Sequence, residues 1–209
     1  MRDAMFQKKM LLVLMAVVLM WASEAQATAI LTIGNDPQLD ENVLLNTGLS
    51  GNPIFGTTNQ TGLAVRFTGT EDLTAPASGQ ARIEAVDGFF TSLIIDVPNG
   101  SFTSLIFNPD ATMDGTVDFT ATTNTGVQVF NDIALSGSGN NFFTFTTIDG
   151  QRFLSIAFEA DVPLADAAQF RIGGAQPDVH DVPDAASTLS LLGLGVAGIA
   201  VARRRFARR

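Results

Sequence analysis

The chain has 209 residues, 21 acidic against 12 basic side chains for a net charge of −9, with no cysteine, no tyrosine, one histidine and one tryptophan. Those counts exclude a disulfide framework, thiolate metal sites and cysteine nucleophiles, and a single imidazole argues against multi-histidine metal centres and a Ser-His-Asp triad. So acidic a surface also repels phosphate, which argues against a nucleic-acid partner.

The first elements are those of a secretory signal. Arg2, Lys8 and Lys9 form a positive start, residues 10–21 a continuous apolar run, and Ala25 and Ala27 bracket Gln26 in an A-x-A cleavage site. The expected signal peptide is 1–27. Beyond it, residues 28–188 carry 19 carboxylates against Arg66, Arg82, Arg152 and Arg171, a net of −15. A soluble exported surface is the simplest use of that charge.

Helical periodicity is nearly absent from 28 to 176. Short runs rich in Phe, Val, Ile and Thr recur between Gly, Asn, Asp and Pro, the pattern of strands and turns. The clearest run begins at Phe89, where Phe89, Thr91, Leu93, Ile95 and Val97 alternate onto one face and Phe90, Ser92, Ile94 and Asp96 onto the other. Pro98-Asn99-Gly100 follows, with Asn-Gly suited to positive φ, and the chain resumes at 102–107. The segment Phe-Thr-Ser-Leu-Ile occurs in both halves of this pair. One echo is not a repeat architecture.

Further strands are expected at 64–68, 81–86, 116–122, 126–130, 142–147, 153–159 and 169–172, with turns at 74–79, 110–115, 124–126, 136–141 and 149–150. About nine closely spaced strands without helices predict an all-β fold, a single antiparallel β-sandwich of jelly-roll-like form over 28–175. Phe89, Phe107, Phe143, Phe145, Phe153 and Phe158 are the expected core aromatics.

Within the sandwich, Asn108, Asp110, Asp114 and Asp118 cluster in "NPDATMDGTVD". Asn108, Asp110 and Asp114 offer oxygen ligands of the kind Ca²⁺ takes. The spacing is not that of an EF-hand, and a β-turn capped by its own Asp side chains accounts for the same residues. "GNDPQLDEN", with Asp36, Asp40 and Glu41, reads the same way. Nothing selects a pair of catalytic carboxylates, so a non-enzymatic protein without a cofactor is expected.

The pattern then changes. Gly173, Gly174, Pro177 and Pro183 make "GGAQPDVHDVPDAAST" read as a flexible tether, placed at 176–188, in which His180 is solvated. An apolar run at 189–202 follows, then a basic end at 203–209. Fourteen residues give a helix of about 21 Å against a hydrocarbon core of about 30 Å. Arg203, Arg204 and Arg205 supply a positive-inside stop, and Gly193 with Ala197 a small-xxx-small pair.

Val182-Pro183-Asp184, Ser187-Thr188, a short apolar helix and an arginine cluster resemble the PEP-CTERM sorting signal, in its Val-Pro-Asp-Ser-Gly variant. The second proline of Pro-Glu-Pro is absent, Asp184 replaces Glu, and Ala185-Ala186 stand where the variant has Ser-Gly. The resemblance implies that Val182, Pro183, Asp184, Ser187 and Thr188 are recognised by an exosortase, a membrane-embedded cysteine-protease-like enzyme. It implies passage through the inner membrane, a transient anchor with the ectodomain outside, and release to the cell surface or an exopolysaccharide matrix. "ENVLLN", "TNQTGLAVRFTGTEDL", "SGQARIEAVDG" and "QFRIGG" are similar to ectodomains found ahead of such tails, which implies no settled activity. The expected function is therefore an exported surface or matrix protein processed by exosortase. The alternative is a carbohydrate-binding sandwich, Ca-assisted, on an unprocessed anchor.

Overall fold

The computed structural model describes residues 29–177. The expected signal peptide with Ala25 and Ala27, the sorting motif, the expected transmembrane segment 189–202 and the basic tail lie outside the described residues.

Eleven strands of four or more residues carry the fold, and no helix occurs among the described residues. They are β1 (Ala29–Ile33), β2 (Asp40–Leu45), β3 (Ile54–Thr58), β4 (Ala64–Gly69), β5 (Arg82–Ala85) and β6 (Phe90–Asp96) in the first half. In the second half come β7 (Ser104–Ala111), β8 (Gly115–Thr123), β9 (Gly126–Leu135), β10 (Phe143–Thr147) and β11 (Phe153–Gly173). All pairings are antiparallel.

The 21-residue β11 organises the rest. Its first half lies between β8 and β6, with Phe158 opposite Phe119 on one side and Leu93 on the other. Its second half lies between β7 on one side and β5 and β2 on the other. The pairing with β6 jumps from Glu159–Ser92 to Leu164–Phe90, so the strand bends within this stretch. Pro163 sits in the jump, where no ladder needs its missing N–H. From β11 the hydrogen bonds run through β6, β4, β3 and β2 and return to β11, a closed circuit. At the far sides, β1 pairs with β10, and β9 pairs with β8 alone.

The core is phenylalanine. Phe107 of β7 stacks on Phe158 at 5.5 Å and on Phe170 at 5.6 Å, so both halves of β11 meet on one ring. Phe119 meets Phe143 edge-on at 4.8 Å, and Phe67 meets Phe170 likewise at 4.8 Å. Each fully buried ring contributes about 1.5–3 kcal/mol from area alone, with more from these offset geometries.

Several expectations need correction. Phe89 is 55% exposed and Phe90 is the core residue at 1%. Strict alternation from Phe89 fails because Phe90 pairs with Leu164, beyond the bend of β11, so the pleat is interrupted below Ser92. The strands expected separately at 153–159 and 169–172 are one strand, and β1, β2 and β3 were not expected at all. The tight turn at 98–100 is present, with Asn99 at φ 51°. Gly100 serves there by close approach, since a Cβ would lie 2.6 Å from the Gln176 carbonyl.

The Gly173–Gly174 pair, read as the start of a tether, lies inside the fold. A Cβ at Gly173 would meet Ser104 Oγ at 2.2 Å, and Gly174 takes φ +58°. Gln176 and Pro177, also assigned to the tether, pair with Ser101 and Gly100. Arg152 holds this end down, its Nε donating to Ser101 Oγ at 2.7 Å and its Nη2 to the carbonyls of Ser101 and Gly174.

Candidate functional site

The three residues singled out as oxygen ligands are held apart by other duties. Asn108, on β7, accepts the Asn141 N–H at 2.7 Å and donates to Asn140 Oδ1 at 3.1 Å. Asp114, in the β7–β8 turn, accepts the Gly137 N–H at 2.8 Å. Asp118 accepts the Asp132 N–H at 2.7 Å across the β8–β9 ladder. Asp110 lies opposite Asp166 on β11. Asn108, Asp114 and Asp118 brace neighbouring turns and strands, and no group of three His, Cys, Asp or Glu able to hold a metal forms among the described residues.

Asp166 belongs to a cluster that sequence reasoning did not single out. It is 7% exposed, and Arg82 Nη2 reaches its Oδ2 at 2.8 Å and Glu84 Oε1 at 3.0 Å. Burial pushes the Asp166 carboxyl up, Arg82 opposes this, and the neighbouring Asp110 and Glu84 charges add to it. Two carboxylates thus share one guanidinium, with Asp110 as a third negative charge nearby.

A recess lies elsewhere, around Leu39, whose side chain is fully exposed in the loop between β1 and β2. On one side is a cleft of about 320 Å³ between Asp40, Glu41, Gln60, Thr61 and Gly174. On the other is a cleft of about 310 Å³ between Gln38, Thr103, Ser104, Thr146, Thr147 and Gly174. The carboxylates at the base are already engaged. Ser104 Oγ donates to Asp40 Oδ1, and Glu41 accepts from Gln60 N at 2.8 Å, Thr61 N at 2.9 Å and Thr61 Oγ1 at 2.7 Å. Burial works to raise the Glu41 carboxyl, but the hydrogen bonds from Thr61, Gln60 and Thr58 together outweigh it and leave it lowered. A carboxylate so satisfied is a brace, unsuited to taking up a proton near neutrality. What remains for a ligand is hydroxyl and amide chemistry beside one apolar knob.

A third surface is the outer face of the sheet β9–β8–β11–β6–β4–β3. Phe55, Arg66, Asp96, Ser155, Thr122 and Val127 form one row across it, each opposite the next. Arg66 and Asp96 are joined in its middle by two bonds, of 2.9 and 2.6 Å. The face carries neither Tyr nor Trp, and Phe55 is its exposed ring.

The class defined so far is an all-β antiparallel domain, acidic and cysteine-free, followed by a short C-terminal extension. That extension is where a known family appears: the VPDSG-CTERM motif matches residues 181–206. It includes Val182, Pro183, Asp184, Ser187, Thr188 and the arginines at 203–205, and it is a PEP-CTERM-like sorting signal. None of the curated proteins matches the chain. Among solved structures, the family 29 carbohydrate-binding module CBM29_1 from Piromyces equi is similar at 12% identity and a TM-score of 0.30, covering 74% of this chain and 95% of that one. A point mutant of CBM29-2, made to probe ligand recognition by family 29 modules, is similar at 16% identity and a TM-score of 0.25, covering 72% and 91%. Both scores are too low to carry a shared ligand.

Proposed function

We propose that this is an exported, non-enzymatic surface or matrix protein whose acidic β-domain is delivered by its C-terminal signal. The observation that carries the reading is the sorting motif at 181–206, placed directly behind a domain that ends at Pro177. In this reading residues 1–27 direct export, and 189–202 with Arg203, Arg204 and Arg205 hold the chain in the membrane with the domain outside. An exosortase-type enzyme then processes the tail near Pro183 and Asp184, and the domain passes to the surface or to an exopolysaccharide matrix. Intact mass of the chain, expressed with and without the processing enzyme, tests it. Loss of the tail is expected only when the enzyme is present, and the same mass in both hosts would end the proposal.

A second reading is a carbohydrate-binding domain, favoured by the two clefts beside Leu39. Gln60, Thr61, Thr103, Thr146 and Thr147 line them. Neutral hydroxyl and amide groups beside an apolar side chain suit a neutral polyhydroxylated chain. The engaged state of Asp40 and Glu41 fits binding rather than hydrolysis. A glycan array run with and without Ca²⁺, repeated with Leu39→Ala, decides it: no binding to any glycan removes the reading.

A further inference from the structure

Strand β9 is the longest edge in the described fold and is bonded on one side to β8 alone. On an edge strand every second residue turns its N–H and C=O away from the sheet, ready to pair with another strand. Natural edges are usually blunted by shortness, charge or proline. The other edges here are short: β1 has five residues and Gly79–Gln80 only two. The segment 126–131, Gly-Val-Gln-Val-Phe-Asn, has none of these protections. Val127 and Val129 stand 60% and 53% exposed on its outer face.

The regular run stops at Asp132, which takes φ 57° in a bulge where two residues of β9 oppose Asp118. Its N–H is taken by Asp118. The free edge therefore ends at a charge, and the stretch before it is neutral.

That neutrality selects the partner. Residues 29–177 contain sixteen carboxylates and four arginines, a net of −12, so two copies repel each other over most of their surface. An uncharged edge six residues long is where they can meet without opposing like charges. We propose that β9 pairs antiparallel with β9 of a second copy, about a two-fold axis at Val129. Val129 then faces Val129, Gln128 faces Phe130, and Val127 faces Asn131. The two Asp132 residues fall at opposite ends, about 20 Å apart at 3.4 Å per residue. A parallel arrangement would stack one upon the other. The interface is isologous and closes as a dimer. Because the bodies repel, added salt strengthens the pairing, whereas docking of a basic partner would weaken with salt. The proposal is independent of the sorting reading.

The absence of native cysteine makes the test direct. Full-length chains bearing Val129→Cys or Ile94→Cys are oxidised mildly in membranes and run on non-reducing gels. Ile94 is 44% exposed on the same face but central, so it reports random collision. A two-fold at Val129 brings the two sulfurs within disulfide reach, and about tenfold more dimer is expected from Val129→Cys than from Ile94→Cys. The yield should rise from about 0.05 M to about 0.5 M salt. A mixture of Val127→Cys and Asn131→Cys chains should link, while Asn131→Cys alone should not. Equal yields from positions 129 and 94, self-linking through Asn131→Cys, or a yield that falls with salt would each overturn the proposal.

Discussion

Glu41, on β2, and Asp166, on the second half of β11, are buried to nearly the same degree, at 8% and 7% exposure. Their proton affinities move in opposite directions. Glu41 sits over the turn that follows β3 and receives two backbone N–H groups and a hydroxyl. Asp166 has one cation, which it shares with Glu84, and faces Asp110 across the β7–β11 ladder. The contrast teaches that burial pushes both carboxyls up, and that the donors around Glu41 outweigh it whereas the single shared cation beside Asp166 does not.

The largest effect that could break this comparison is expected from Glu41→Ala, which leaves the Gln60 and Thr61 donors facing a void. Denaturant unfolding at pH 7 should show a loss of about 3 kcal/mol, with a smaller loss for Glu41→Gln. Because the folded Glu41 carboxyl lies below its ordinary 4.5, its stabilisation is full above that value and fades as pH falls through the folded value. The gap between wild type and Glu41→Gln should therefore narrow in acid.

Next is Arg82→Met, which leaves Asp166 and Glu84 without their shared cation. Arg82 is half exposed, so a loss of about 1–2 kcal/mol at pH 7 is expected, shrinking in acid as the carboxylates take up protons. Smaller again is Asp166→Asn. The folded Asp166 carboxyl lies above its ordinary 3.8, so its contribution is full below that value and is lost as pH rises through the folded value. At pH 7 the variant should lie within about 1 kcal/mol of wild type, and wild type should gain on it in acid. Melting curves from pH 3 to pH 8 read both trends; a penalty at pH 7 as large as that of Glu41→Gln would dissolve the contrast.

The smallest effect is Gln169→Gly. Gln169 is exposed and held at φ 59° in the bulge of β11, three residues from Asp166, so glycine should raise stability by about 0.5 kcal/mol at every pH.

Much of the strand pattern could be read from the residues, and the reason lies in particular runs. Alternation and dense Phe and Thr marked β8, β10 and the first half of β11, and Gly-rich punctuation marked their ends. β2 escaped notice because "DENVLL" opens on charge: Glu41 is buried there as a brace, which no periodicity announces. β3, "IFGTT", is short and contains Gly56, whose missing Cβ makes room for Val43 at 2.7 Å. The continuity of β11 was hidden by Pro163 and by a bend that only the pairing partners reveal. Of the possible sites, the Asp and Asn residues of the β7–β8 region were visible as a cluster. Their partners, Asn141, Gly137 and Asp132, lie 14 to 33 residues away in the chain, which spacing cannot foretell. The clefts beside Leu39 join five separate segments for the same reason. The sorting motif could be read directly because it is a contiguous signal.

Strand β11 also has a consequence for timing. It is the last long element in chain order, and it pairs with β8, β6, β7, β5 and β2. Neither can the sheet be completed nor the circuit through β2 closed before residue 173 is present. A chain threaded through a narrow channel from its N-terminus would stay open until nearly all of the domain had emerged. It would then close at a single late step, with its most distant contacts made last. The same strand that closes the circuit thus holds back completion of the fold until almost the whole domain is present.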